Sequence, residues 1–481
     1  MKVKMILPAL IEARGLPVRP IKYSLFPPLG LATLAGYLDS SDEVLLQDEH
    51  VEKLDLNDRP DIVVIQVYIT SAKRAYAIAD TYRAKGVYVC LGGLHVTTCP
   101  QEAAPHADSM FLGPGEDTWP GFLRDFRQGY PKPIYRSLNR SLSGLPMPRR
   151  DLIRRGSYLV PNSLVVSRGC PHHCDFCYKD SFFKDGKSFY TLEADRALRE
   201  ISSLPGRHLY FLDDHLFGKN AFIHSLFRGM KGMGRVWQAA GTVKSILENP
   251  GLYEEAATSG LRSLFVGFET LTQGNLAAMH KTHNLGRDYE EAIRRLHSMG
   301  VMVNASFVYG MDDDGPDVFD RTVDWAVAQG LETATFHILT PYPGTVLRAR
   351  LEGEGRILTN DWDLYDTRHQ VFQPARLKTG ELEAGYWRSY ERFYSWKNIL
   401  RAASTKADMA GQFRHLAYTG GWKKMEPMWN LLIRSGWVGR MRPVLETVLG
   451  IGPVRNPGTI PRGVPEIVND PVEPPGELFA A

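Results

Sequence analysis

Apolar runs of five to seven residues recur along this chain with helix-length stretches between them, and that alternation admits few folds. A strand, a helix and a further strand build a parallel sheet, because a crossover of a dozen or more residues must return the chain to the same end. Two series are present. The first, residues 3–7, 43–47, 61–67 and 87–91, has helical stretches such as residues 29–38 and 72–85 between its members. It predicts a doubly wound, Rossmann-like sheet over residues 1–135. The second, residues 163–167, 208–212, 236–240, 263–267, 303–308 and 333–339, predicts six units of an incomplete α/β barrel over residues 161–350. Residues 136–160, with Leu145-Pro-Met-Pro-Arg-Arg150, read as an exposed linker. Residues 351–450 read as a mostly helical extension, and residues 451–481, rich in proline and poor in large apolar groups, as a disordered tail.

Composition narrows the function. With 57 basic and 54 acidic residues the chain has no cationic excess to bind nucleic acid. Five cysteines, three of them in one loop, are the wrong arrangement for a secreted disulfide framework. Cys90 and Cys99 read as buried or incidental thiols. The opening Met-Lys-Val-Lys-Met-Ile-Leu-Pro carries no leader pattern and no apolar run reaches eighteen residues, so a cytoplasmic protein is expected. Residues 422–449 mix Trp422, Trp429 and Trp437 with Lys423, Lys424 and Arg434, a basic amphipathic pattern. Such a stretch can lie on a membrane surface; a helical subdomain packed on the barrel is the reading adopted, with membrane-surface contact possible but not expected.

The chemistry lies in Ser167-Arg-Gly-Cys-Pro-His-His-Cys-Asp-Phe-Cys-Tyr178. Four sulfurs saturate a structural zinc or an ordinary iron-sulfur cubane, whereas Cys170, Cys174 and Cys177 leave one metal position open. A zinc ion completed by His172 or His173, or three plain buried cysteines, are the competing readings. Zinc sites usually pair their ligands across a longer gap. The loop also follows the apolar run at 163–167, and barrel strands deliver catalytic groups at that end.

With Phe176 ahead of the third cysteine, this loop resembles that of the radical S-adenosylmethionine (SAM) enzymes. The resemblance implies a [4Fe-4S] cluster on Cys170, Cys174 and Cys177, with SAM on the open iron beside Phe176. At later strand ends it implies that Asp213 and Asp214 meet the SAM amino group and that Glu269 takes the ribose hydroxyls. Asp313 and Asp314 read equally as site residues or loop caps, and His215, Lys281 and His337 have no assigned task. The N-terminal third, with Phe26-Pro-Pro-Leu-Gly-Leu, Thr70-Ser71, Gly92-Gly93 and Gly113-Pro-Gly-Glu116, is similar to the cobalamin-binding domain found ahead of the barrel in one class of these enzymes. That similarity implies that Thr70, Ser71, Gly92, Gly93 and Gly115 line the corrin and its nucleotide tail. Asp48-Glu-His50 follows the second strand and lacks a closing glycine, so His50 reads as a loop residue and not a cobalt ligand.

The implied function is methylation of an unactivated carbon of a small molecule, through a 5′-deoxyadenosyl radical and methylcobalamin. The alternatives are a cobalamin-assisted radical oxidation, cyclisation or rearrangement, and a non-catalytic sensor. An electron donor such as flavodoxin or ferredoxin is implied as a partner, together with a partly apolar substrate. Trp362, Tyr365 and Trp387 either cap the barrel mouth or pack in a core.

Overall fold

The computed structural model describes residues 1–10, 25–218, 220–424 and 437–451. The expected tail and the middle of the 422–449 stretch lie outside the described residues. The first sheet contains β1 (Lys2–Leu7), β2 (Glu43–Asp48), β3 (Ile62–Gln66), β4 (Tyr88–Gly92), β5 (Ser109–Leu112) and β6 (Ile134–Arg136). Its order is β2-β1-β3-β4-β5-β6 and every pairing is parallel. Unbroken runs such as Ile62-Val-Val-Ile suit strands covered on both faces. On one face the helix Ala72–Arg83 buries Ala75, Ala79 and Tyr82 at helical spacing. On the other, Phe111, Trp119, Phe122 and Tyr135 form an aromatic layer. The three residues of β6 are too few to show a period, and this strand escapes a reading of the sequence.

The second sheet contains β7 (Ser163–Leu164), β10 (His208–Phe211), β11 (Val236–Gly241), β12 (Leu261–Glu269), β13 (Met302–Tyr309) and β14 (Thr333–Ile338). Strands consecutive in this set are neighbours and parallel, which gives a partial barrel open on one side. A short antiparallel pair, β8 (Ser167–Gly169) and β9 (Phe189–Thr191), stands apart from it. The exposed edge at β14 is closed by the helix Glu381–Phe393 and the residue after it. The Tyr390 hydroxyl pairs with the backbone N–H and C=O of Phe336, and the Tyr394 hydroxyl with those of Ala334. Edge groups that would otherwise recruit another strand are thereby satisfied. Among the described residues no helix is long and apolar enough to cross a membrane.

Two expectations are corrected. The run 163–167 is not one strand, because the chain leaves the sheet after Leu164 and turns into β8. Asp213 causes this: its carboxylate accepts from Val166 N at 3.0 Å, Ser167 N at 2.5 Å and Ser167 Oγ at 2.5 Å. Residues 136–160 are exposed only in part. Arg140 is buried and donates to the carbonyls of Phe183, Lys184 and Lys187, while the Tyr158 hydroxyl donates to Asp48 at 2.8 Å. Buried carbonyls need donors, and a buried arginine supplies several at once.

Candidate functional site

The β8–β9 pair carries the cysteine loop. Gly169 has φ +74°, and a Cβ there would fall 1.9 Å from the Ser188 carbonyl oxygen, so glycine is required one residue before Cys170. Beyond it, Cys177 N donates to Cys174 O at 2.9 Å, and Asp175 is anchored by its backbone to Met279 and Leu347 and by its carboxylate to His280. The loop is held before any metal arrives.

Burial pushes the Cys174 thiol up to about 12 and raises those of Cys170 and Cys177. Lys179 opposes the rise at Cys170 and Cys177, and Lys281 opposes it at Cys174. Such thiols ionise when a metal takes the negative charge. A single zinc ion bound at about 2.3 Å would hold its sulfurs about 4 Å apart. Among the described residues the three thiols do not gather that closely. Cys170 instead shares a 4.8 Å neighbourhood with His172 and His215, which leaves Cys174 and Cys177 outside. The zinc reading would use one thiol of three, whereas separated sulfurs suit the corners of a cubane.

Around the loop, burial lowers His172 and His215 to about 4 and His283 to about 2, so all three imidazoles are neutral at pH 7. His172 stacks on His283 with ring centroids 3.9 Å apart and meets His215 edge-on at 5.1 Å. No sequence pattern joins these three, since they come from three separate loops. Lys281 pairs with Glu269 and lies 5.9 Å from the Phe176 ring centre. Glu269 itself is held at φ +65°, a costly conformation for a non-glycine residue and one that clusters at sites. The Lys179 ammonium, unremarked in the sequence, pairs with Asp214 at 3.0 Å.

The structure therefore brings Phe176, Asp214, Glu269 and the three cysteines to one end of the barrel. Asp213 is different. Its carboxylate accepts from the backbone of Val166 and Ser167, with its pKa raised to about 6 by burial, and so it shapes the loop. Asp314 is likewise tied to Gly310 N, Met311 N and Asn275, and Asp313 to Arg376.

In the first sheet, a slot of about 190 Å³ opens at the carboxyl ends of β3, β4 and β5. Gly92, Gly93 and Gly115 line it, with Gly30 and Trp119 as further walls. A side chain at Gly93 (φ +110°) would press on the Val67 backbone, so the wall stays bare. Thr70 and Ser71 do not line this slot; they lie just beyond β3, where Ser71 is buried against the Tyr68 carbonyl. His50 sits after β2 as a buried loop residue, its Nδ1 2.7 Å from Asp48. Two walls of the slot come from the other sheet's loop, Arg168 and Phe182. Arg168 Nε donates to Glu116 at 2.7 Å, so the hairpin bearing the cysteines is fastened to the Gly113-Pro-Gly-Glu116 turn.

Inside the barrel lies a further cavity of about 350 Å³. Gln238, Asn304 and His337 face it from the strands, and Arg368, Tyr386 and Tyr418 from the extension. His337 Nδ1 is 3.1 Å from Thr367 Oγ1, and Ile338 N donates to Thr367 O, which pins the 366–368 turn against β14. Trp362 and Tyr365 do not line it: Trp362 Nε1 donates to Glu102 at 2.9 Å and its ring meets those of His95 and Tyr365 edge-on, while Trp387 is exposed.

Residues 164–326 match the radical SAM superfamily, and residues 23–123 match the B12 binding domain. The chain is a B12-binding radical SAM enzyme. It is 29% identical over 359 residues to the bacteriochlorophyllide d C-12(1)-methyltransferase of Chlorobaculum tepidum, covering 72% of this chain and 77% of that protein. To the hopanoid C-2 methylase of Rhodopseudomonas palustris it is 26% identical over 352 residues, 70% of this chain and 66% of the relative. Its fold matches the radical SAM methyltransferase TsrM of Kitasatospora setae, solved with cobalamin and a [4Fe-4S] cluster, at a TM-score of 0.63 and 14% identity, covering 90% and 98% of the two chains. A [4Fe-4S] cluster, SAM and cobalamin are thus the cofactors of this radical SAM enzyme.

Proposed function

We propose that this radical SAM enzyme methylates an unactivated carbon of a partly apolar small molecule. The observation that carries the reading is the shared wall: Arg168 and Phe182, which flank the cysteine loop, also line the slot in the first sheet. Bound in these sites, the cluster and SAM supply a 5′-deoxyadenosyl radical and cobalamin supplies a methyl group. The chain's own residues position and shield. Cys170, Cys174 and Cys177 hold the cluster, and Phe176, Asp214 and Glu269 border SAM. Gly92, Gly93 and Gly115 admit the flat cofactor to the first sheet, with Thr70 and Ser71 at its margin. The barrel cavity, walled by aromatic rings and a few polar groups, receives the substrate and keeps water from the radical. A low-potential carrier such as flavodoxin or ferredoxin supplies the electron.

Methyl-transferring relatives such as the bacteriochlorophyllide and hopanoid enzymes support this choice over a rearrangement. Anaerobic turnover with SAM, a reductant and extracts containing candidate substrates tests it. The expected products are 5′-deoxyadenosine and S-adenosylhomocysteine together, with one methyl group gained by the substrate. 5′-Deoxyadenosine as sole SAM product would replace methylation by a radical oxidation, cyclisation or rearrangement.

A further inference from the structure

The helices Trp396–Ala403 and Met409–His415 pack against each other on the outside of the barrel, and their outward side is apolar. Trp396 is 51% exposed, Leu400 57%, Met409 84% and Phe413 62%. Each helix presents its pair at a spacing of four residues, so each pair lies on one face. The opposite face of the first helix, Ile399, Ala402 and Ala403, is already buried against the protein. Four large apolar side chains on two adjoining helices exceed the scattered exposure of an ordinary surface.

Asp408, next to Met409, is engaged in capping its helix at Gly411 N, and the charges beside the first pair are cationic. Lys397 and Arg401 lie next to Trp396 and Leu400 on the same helix, and neither has an ion-pair partner among the described residues. The other cations of the segment point inward: Lys406 is tied to Glu332, and Arg414 to the carbonyls of Gly300 and Ile451. Two free cations beside an indole and three aliphatic or aromatic groups make the pattern of an interfacial helix on an anionic bilayer. A second copy docked by this face would bring two sets of Lys397 and Arg401 together, which disfavours self-association.

We propose that this face docks the enzyme on the surface of an anionic lipid bilayer. The proposal goes beyond the methylation reading, and it puts on residues 396–413 a membrane contact that the sequence left possible, though not expected, for residues 422–449. The docked helices adjoin the floor of the barrel cavity. Trp396 lies against Gly420, where an added Cβ would sit 3.2 Å from its ring, and two residues earlier the Tyr418 hydroxyl accepts from Gln238 at 3.1 Å inside the cavity. An apolar substrate dissolved in lipid would then be held near the chamber that receives it.

Sedimentation of the anaerobically reconstituted full chain with vesicles tests the docking without any turnover. Vesicles of phosphatidylcholine with phosphatidylglycerol should carry the protein down, those of phosphatidylcholine alone at least tenfold less, and raised salt should weaken binding. The double variant L400E/F413E should lose at least tenfold in binding while retaining its iron and cobalamin. K397E/R401E should abolish the preference for the anionic vesicles. Failure to sediment with anionic vesicles at low salt would overturn the proposal, as would wild-type binding by L400E/F413E. A dimer dispersed by L400E/F413E, in protein that ignores vesicles, would instead assign the face to a second copy.

Discussion

Gly169 shows how far one residue controls this site. Its φ of +74° is costly for any side chain, by about 1–2 kcal/mol in the backbone alone, and the Ser188 carbonyl leaves no room for a Cβ. Gly169→Ala should therefore unseat the β8–β9 pair and lower iron retention severalfold, with far-ultraviolet circular dichroism little changed; iron assay after anaerobic reconstitution checks it. Asp213 works through the same loop. Asp213→Ala, which frees the buried N–H groups of Val166 and Ser167, should cost about 1–3 kcal/mol and loosen the cluster, measured by thermal melting and iron content together. The cysteine spacing, Phe176 and the paired glycines were legible in the sequence because their information is local. The structural task of Asp213 was not, since its partners lie 46 and 47 residues earlier.

Whole elements repeat the contrast. The apolar runs of β1 to β4 and β10 to β14 marked themselves, most plainly where both faces of a strand are covered, as in β3. Residues 136–160 misled because prolines and arginines usually mean solvent, whereas here Arg140 and Tyr158 find buried acceptors on distant elements. The histidine group and the Arg168–Glu116 tie were also invisible, as each exists only once separate loops meet. Arg140→Met keeps the stem but strands the carbonyls of Phe183, Lys184 and Lys187. It should cost about 3 kcal/mol and loosen the short helix Lys179–Phe182 beside the cluster, with a lower melting temperature and faster amide exchange across residues 179–187.

At the scale of the molecule, buried imidazoles set the response to acid. Burial lowers His95, His172, His208, His215, His283 and His415 below the usual 6.5. As pH falls below 6.5 the unfolded chain takes up protons there that the folded chain refuses, which removes up to about 1.4 kcal/mol per pH unit for each. Asp117, Asp213 and Asp314, raised by burial, act in the opposite sense, because they bind protons more readily folded than unfolded. Six groups against three leave a net loss, so the melting temperature of metal-free protein should fall between pH 6.5 and 5. Constant melting across that window would show that these imidazoles protonate in place. The neutral histidines thus belong both to the site and to the stability of the barrel around it.

The proposed methylation needs the cluster and the cobalt in one chamber, walled by Arg168 and Phe182 and fastened through Arg168 to Glu116. Electron paramagnetic resonance of the cobalt(II) cofactor, recorded with the cluster oxidised and then reduced, measures that adjacency directly. The reduced cluster is expected to broaden the cobalt signal and speed its relaxation, and Cys174→Ala to leave it narrow. A cobalt signal unchanged by cluster reduction, at full occupancy of both cofactors, would contradict the shared chamber.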